Sequence, residues 1–69
     1  MKLKEKRLDK GMTQTQLAKA AGTGQSSIAR FERGQLIPKP HTAKRIAAVL
    51  DFDWTEFYEE VEDDRTAVS

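Results

Sequence analysis

Apolar residues in this chain come in short clusters, each bounded by glycine, proline or charge, and the spacing within them is helical rather than alternating. Ala43, Ile46, Ala47 and Leu50 form an i, i+3, i+4, i+7 stripe. It predicts a helix from Pro40 to Leu50, with Pro40 suited to the first helical position. Further upstream, Thr13 and Gln16 have the S/T-x-x-E/Q spacing of a capping box, and Met12 and Leu17 can staple over it. The helix they open runs Gln14 to Ala21 and buries Leu17, Ala18 and Ala21, and Gly22 is placed to stop it in a left-handed conformation. Another helix starts at Gln25 and is ended in the same way by Gly34; Ile28, Phe31 and Glu32 share one of its faces. Leu3 and Leu8, with the stems of Lys4 and Arg7, predict a weaker helix over Lys2 to Lys10 that Gly11 closes. After the loop Leu36-Ile37-Pro38-Lys39, which cannot continue a helix, and the Pro40 helix, Asp51 or Asp53 caps a last one from Trp54 to Val61. Five short helices with no strand pattern give an all-α fold, a compact bundle over residues 1–61. The acidic stretch 62–69 has little to bury and is expected to fray.

Two helices of this length joined through Gly22-Thr23-Gly24 make a helix-turn-helix pattern. The outer face of the second carries Gln25, Ser26, Ala29, Arg30 and Arg33, with no acid among them. In the major groove Gln pairs bidentately with adenine, Arg with guanine, and Ala can touch a thymine methyl. The plain alternative is a solvated helix face; the turn between the helices favours a face that docks on DNA.

These residues closely resemble the Cro and phage-repressor helix-turn-helix family, the xenobiotic-response-element (XRE) type. The landmarks are Thr13-Gln14, Leu17-Ala18, Gly22, Gln25-Ser26, Ile28, Glu32-x-Gly34, Pro38 and Leu50, in order and spacing over about residues 3 to 58. The resemblance implies a lambda-repressor-like five-helix fold in which helices 2 and 3 form the helix-turn-helix and helix 3 is the recognition helix. Gln25, Ser26, Arg30 and Ala29 are then the base-contacting candidates. Gln14, at a helix N-terminus, is expected on the DNA backbone, as the family places such a Gln; Ser27, Arg33, Lys39 and Lys44 complete the phosphate-contacting set. The family also pairs an arginine of helix 1 with the glutamate of the recognition helix, here Arg7 with Glu32. The inward position of Glu32 demands such a partner independently. Two positions depart from the pattern: Thr23 stands where a hydrophobic residue is usual, and Gly24 where Ser or Thr usually caps helix 3.

With 69 residues there is room for one small domain, and no cysteine is present to staple it or to hold zinc as a thiolate. The longest apolar run, Ile46 to Leu50, is too short for a membrane span or a secretory signal; a soluble, cytoplasmic protein is expected, nucleoid-associated when on DNA. The net charge of +1 hides a split. Residues 1–45 hold eleven Lys and Arg against three acids, a balance of +8, and residues 46–69 hold one base against eight acids, −7. A basic half that coincides with the helix-turn-helix suggests a polyanionic partner. Catalysis is not expected: His41 has no serine or cysteine motif near it, the C-terminal acids lack calcium-loop spacing, and no phosphate loop or H-E-x-x-H occurs. No metal and no cofactor is called for.

Together these features predict a sequence-specific reader of double-stranded DNA, a small prokaryotic or phage repressor, binding a palindromic operator as a homodimer. Trp54, Phe57, Tyr58 and Val61 are many apolar groups for so short a helix; they either cap the core or form the dimer interface. The alternative function is a protein-interaction or antitoxin-like module whose aromatic last helix binds a partner.

Overall fold

The structure, a computed structural model, describes residues 2–58. Four helices follow in order: α1 Leu3–Asp9, α2 Gln14–Ala21, α3 Gln25–Glu32 and α4 Pro40–Leu50. A fifth helical segment, α5, starts at residue 56 and runs to the end of the described residues, among which there is no strand. The fold is all-helical. Val61 and the tail 62–69 lie outside the described residues.

Local chemistry sets most of the boundaries. At the start of α2 the Gln16 N–H donates to the Thr13 hydroxyl at 3.0 Å, and the Thr13 N–H donates to Gln16 Oε1 at 2.9 Å, so the capping box is closed from both sides. Gly22 ends α2 at φ 70°, and its left-handed turn lets the Thr23 N–H reach the Ala18 carbonyl. The α4 terminus makes the same turn without a glycine: Asp51 sits at φ 61°, and the Phe52 N–H closes on the Ala47 carbonyl. Asp53, not Asp51, opens the final segment. Its Oδ1 accepts from both the Thr55 N–H and the Thr55 hydroxyl, and these bonds hold the exposed carboxyl below its usual pKa. Trp54 and Thr55 belong to this turn rather than to the helix.

Leu17, Ile28 and Ile46, one from each of α2, α3 and α4, are wholly buried where these helices meet. Each contributes about 1.5–3 kcal/mol by leaving water. Ala18, Ala21, Ala43 and Ala47 are buried around them and, being small, let the helices approach closely. Leu3 and Leu50 complete the buried apolar set, and Met12, Phe31, Val49, Phe52 and Phe57 pack half-buried against it. The expected Leu3–Leu8 stripe on α1 does not form: Leu8 is 55 % exposed. Five residues on, Leu8 is rotated about 140° from Leu3 at the helical 3.6 residues per turn. Arg7, one full turn from Leu3, takes the inward position instead. Among the described residues no helix is long and apolar enough to cross a membrane.

Candidate nucleic-acid interface

Glu32 is where the helix-turn-helix is tied to the rest of the chain. It ends α3 facing inward, its side chain only 5 % exposed, and Arg7 of α1, 8 % exposed, meets it with two parallel bonds. Nε donates to Oε2 at 2.6 Å and Nη2 to Oε1 at 3.2 Å, the fork geometry that makes arginine–carboxylate pairs strong. The remaining guanidinium nitrogen, Nη1, donates to the Met12 carbonyl at 2.8 Å, so the residue just before the α2 cap is fixed by the same side chain. Burial alone pushes the Glu32 carboxyl up. The hydrogen bonds from Arg7 and then Gln14, with the charges of Arg7 and Lys4, outweigh it and hold the group below its usual pKa. Arg7 in turn is raised, first by its bond to Glu32.

From Glu32 the bonding continues outward. Gln14, first residue of α2, donates Nε2 to Glu32 Oε1 at 3.1 Å and accepts at Oε1 from Gln25 Nε2 at 2.6 Å. Gln25 is the first residue of α3 and is exposed. A side-chain chain thus runs Arg7, Glu32, Gln14, Gln25, from a buried ion pair to the outer end of α3. Because the carboxylate can only accept, it fixes which end of the Gln14 amide faces it, and Gln14 then fixes the Gln25 amide. Among the described residues the Gln25 carbonyl oxygen and its second N–H make no side-chain bond. No motif announces this relay. Its only trace in the sequence is that the first residues of both helices are glutamines, with an inward acid eighteen residues after the first.

On the same helix Ser26, Arg30 and Arg33 are exposed, while Ala29 and Ser27 are half-buried. α3 has no side-chain cap at its N-terminus. Gly24 provides the extended N-cap backbone, at φ −87°, but no hydroxyl. Lys39, exposed at the N-cap of α4, also makes no side-chain cap bond. Lys44, exposed on α4, has its ammonium 4.9 Å from the Trp54 ring centre, a cation–π contact.

The C-terminal aromatics are engaged with the body of the molecule. Trp54 packs edge-on against Tyr58, with centroids 5.7 Å apart, and Phe52 packs against Phe57 at 5.5 Å. Lys6 of α1 sits over Phe52 at 4.8 Å and pairs with Glu56 at 3.3 Å. The Tyr58 hydroxyl donates to the Pro38 carbonyl at 2.7 Å, and its partial burial pushes its pKa up. Trp54, Phe57 and Tyr58 are all half-buried; Val61, the fourth residue of the expected dimer patch, is outside the described residues.

Among the described residues no group of three or more His, Cys, Asp or Glu is arranged to hold a metal ion. The family model that matches the chain is described as helix-turn-helix and covers residues 3–57. An uncharacterized HTH-type transcriptional regulator, YqaF, of Bacillus subtilis (strain 168) is 44 % identical over 59 residues, 86 % of this chain and 78 % of the relative. The ImmF control region 10 kDa protein of Bacillus phage phi105 is 35 % identical over 51 residues; the match takes in 74 % of this chain but only 57 % of the phage protein. No solved structure matches. With its two capped and uncapped short helices, their glycine turn and a family match that spans nearly every described residue, the chain belongs to the helix-turn-helix family of the Cro and phage-repressor (XRE) type.

Proposed function

We propose that this chain binds double-stranded DNA sequence-specifically and regulates transcription, as a small repressor that lays α3 in the major groove. The observation that supports it best is the outer face of α3. It is free of acids, carries two exposed arginines, and presents a Gln25 whose amide is oriented from behind by Gln14. An amide held this way can offer its oxygen to adenine N6–H and its second N–H to N7 without first losing rotamer freedom. Arg30 matches guanine O6 and N7, Ser26 is adaptable, and Ala29 can meet a thymine methyl. Arg33, Lys39 and the free N–H groups at the start of α3, with Ser27 among them, are placed for phosphates. Gln14 reaches the backbone only through its remaining N–H, the other being given to Glu32. Lys44 joins the phosphate set only by leaving Trp54.

A palindromic operator is read by a homodimer, because one such module contacts few base pairs while a two-fold pair reads half-sites about 34–36 Å apart. The protein acts in the cytoplasm, on the chromosome or a phage genome. It needs no cofactor for this, and nothing in the site asks for catalysis.

Selection from random duplex DNA at about 0.15 M salt is the experiment that tests the reading, since low salt favours any basic surface. A palindromic consensus is expected. Arg30→Ala should then cost about 1–3 kcal/mol on the selected site and relax one base position, whereas Lys39→Ala should weaken all duplexes alike and lower the salt slope by about 1. Equal loss on every sequence for Arg30→Ala would remove it from the base-reading set. Enrichment of no sequence would shift the weight to the partner-binding reading through the aromatic C-terminal segment.

A further inference from the structure

We propose that Tyr58 is a positioning residue for DNA binding: through the Pro38 carbonyl it sets the backbone from which Lys39 meets a phosphate. The inference rests on the phosphate role given to Lys39 above and adds the residue that holds it in place.

Lys39 is exposed and stands between two prolines on the loop into α4. The rings of Pro38 and Pro40 fix φ at both of those positions, and Pro40 also keeps Lys39 extended, at φ −68° and ψ 158°. On its C-terminal side Lys39 is tied into α4, since its carbonyl accepts from the Ala43 N–H at 2.8 Å. What these restraints leave open is the tilt of the peptide between Pro38 and Lys39, which turns about the Pro38 Cα–C bond. The Tyr58 hydroxyl closes that freedom by donating to the Pro38 carbonyl at 2.7 Å. A peptide unit is planar, so the carbonyl oxygen, the Lys39 nitrogen and the Lys39 Cα move together. Holding the oxygen therefore fixes where the Lys39 side chain leaves the loop.

Tyr58 is held in turn. Its half-buried ring packs edge-on against Trp54 at 5.7 Å, and the Lys44 ammonium of α4 lies 4.9 Å from the Trp54 ring centre. Lys44, Trp54, Tyr58 and Pro38 thus form one chain of contacts that ends at the residue before Lys39. As Gln14 does for Gln25, Tyr58 fixes from behind the direction of an exposed group. The arrangement suits a lysine. Its long stem is flexible, so a backbone settled beforehand lowers the ordering cost of its contact. The role belongs to one atom: a phenylalanine in the place of Tyr58 would pack as well against Trp54 and could not hold the carbonyl.

The test is a double-mutant cycle between the hydroxyl and the lysine. Wild type, Tyr58→Phe, Lys39→Ala and the double variant are titrated with the selected duplex and with an unrelated duplex of equal length, at about 0.15 M salt. Tyr58→Phe is expected to keep the wild-type circular dichroism and to bind both duplexes about three- to tenfold more weakly, the range of one net hydrogen bond. In the Lys39→Ala background the same substitution should change nothing, because the contact it positions is gone. Wild-type affinity in Tyr58→Phe would overturn the inference. So would an equal loss with and without Lys39, which would make the hydroxyl act elsewhere, or a loss confined to the selected duplex, which belongs to base reading. Collapse of the fold in Tyr58→Phe would overturn it as well, since the bond would then support the fold rather than the contact. Wild-type affinity in Lys39→Ala would instead remove the phosphate role of Lys39, and the inference with it.

Discussion

The two helices of the helix-turn-helix are equal in length, eight residues each, and are held in place by opposite means. α2 is closed by its own neighbours in sequence: Thr13 and Gln16 satisfy its first turn, Gly22 and Thr23 its last, and three of its residues are buried. α3 has no side chain at its N-cap and one fully buried residue, Ile28. What fixes α3 comes from far along the chain, namely Arg7 from α1 and Gln14 from α2, at Glu32 and Gln25. Eight-residue helices are not stable alone in either case. The difference lies in which groups are left open. α2 closes its end groups on itself, whereas α3 leaves its N-terminal N–H groups without a side-chain cap.

The sharpest way to break this comparison is at the shared anchor. Removing one member of a buried ion pair leaves the other charged and unpaired, at a cost of about 3–5 kcal/mol. A domain this small has about 3–5 kcal/mol of stability in all. Glu32→Ala and Arg7→Ala are therefore expected to be largely unfolded at 25 °C by circular dichroism. The apolar double variant Arg7→Met/Glu32→Leu should recover the fold, because uncharged neighbours of similar volume replace the pair. It should still bind DNA less tightly, since Gln14 has then lost the acceptor that orients Gln25. Recovery of both fold and full affinity would mean that the relay does not matter to recognition.

The same anchor sets a pH dependence. The folded-state pKa of Glu32 lies below its ordinary value, so its contribution is complete above the ordinary carboxylate range and is lost as pH falls through the depressed one. Urea unfolding at pH 7 and pH 3 should show stability lower in acid. The Arg7→Met/Glu32→Leu variant should lose less over the same interval.

How much of this was legible follows from the same contrast. The α2 boundaries could be read because they are written within three residues of each end, in Thr13, Gln16 and Gly22. The α4 stripe could be read for a similar reason, since four apolar residues at one spacing admit one face. Leu8 misled because a seven-residue helix is too short for two leucines five apart to define a face, and a buried arginine occupied the place. The double engagement of Gln14 was invisible, as it depends on how α1, α2 and α3 converge. So was the exposure of Leu36 and Ile37 on the loop before Pro38. Periodicity marks Trp54 and Tyr58 as an apolar face, but only the fold reveals that Tyr58 turns to Pro38 and Lys44 covers Trp54.

A smaller effect is expected at the α2 cap. Thr13→Ala removes the acceptor for the Gln16 N–H and should cost about 1 kcal/mol, measured by urea unfolding. If α2 is closed by its own sequence, the loss should appear in amide exchange across its first turn and leave Gln25 in place. Faster exchange throughout α3 would show that the two helices share one support.

The smallest expected change separates stability from recognition at the corresponding position of α3. Gly24 does not need to be glycine for its backbone: φ is −87°, and an added Cβ would meet Ser27 Oγ at an ordinary 3.9 Å. Gly24→Ser supplies the missing cap and should add a few tenths of a kcal/mol. Gly24→Asp should stabilise at least as much, because an acid at a helix N-terminus also favours the dipole. On DNA the two should diverge. Serine leaves the charge of the surface unchanged and should keep wild-type affinity. Aspartate places a negative charge where a phosphate would lie, so a more stable protein should bind less tightly, with the loss greatest at low salt. Equal affinity for the two variants would put the start of α3 away from the duplex backbone, and its open N-terminus would then be an ordinary solvated helix end.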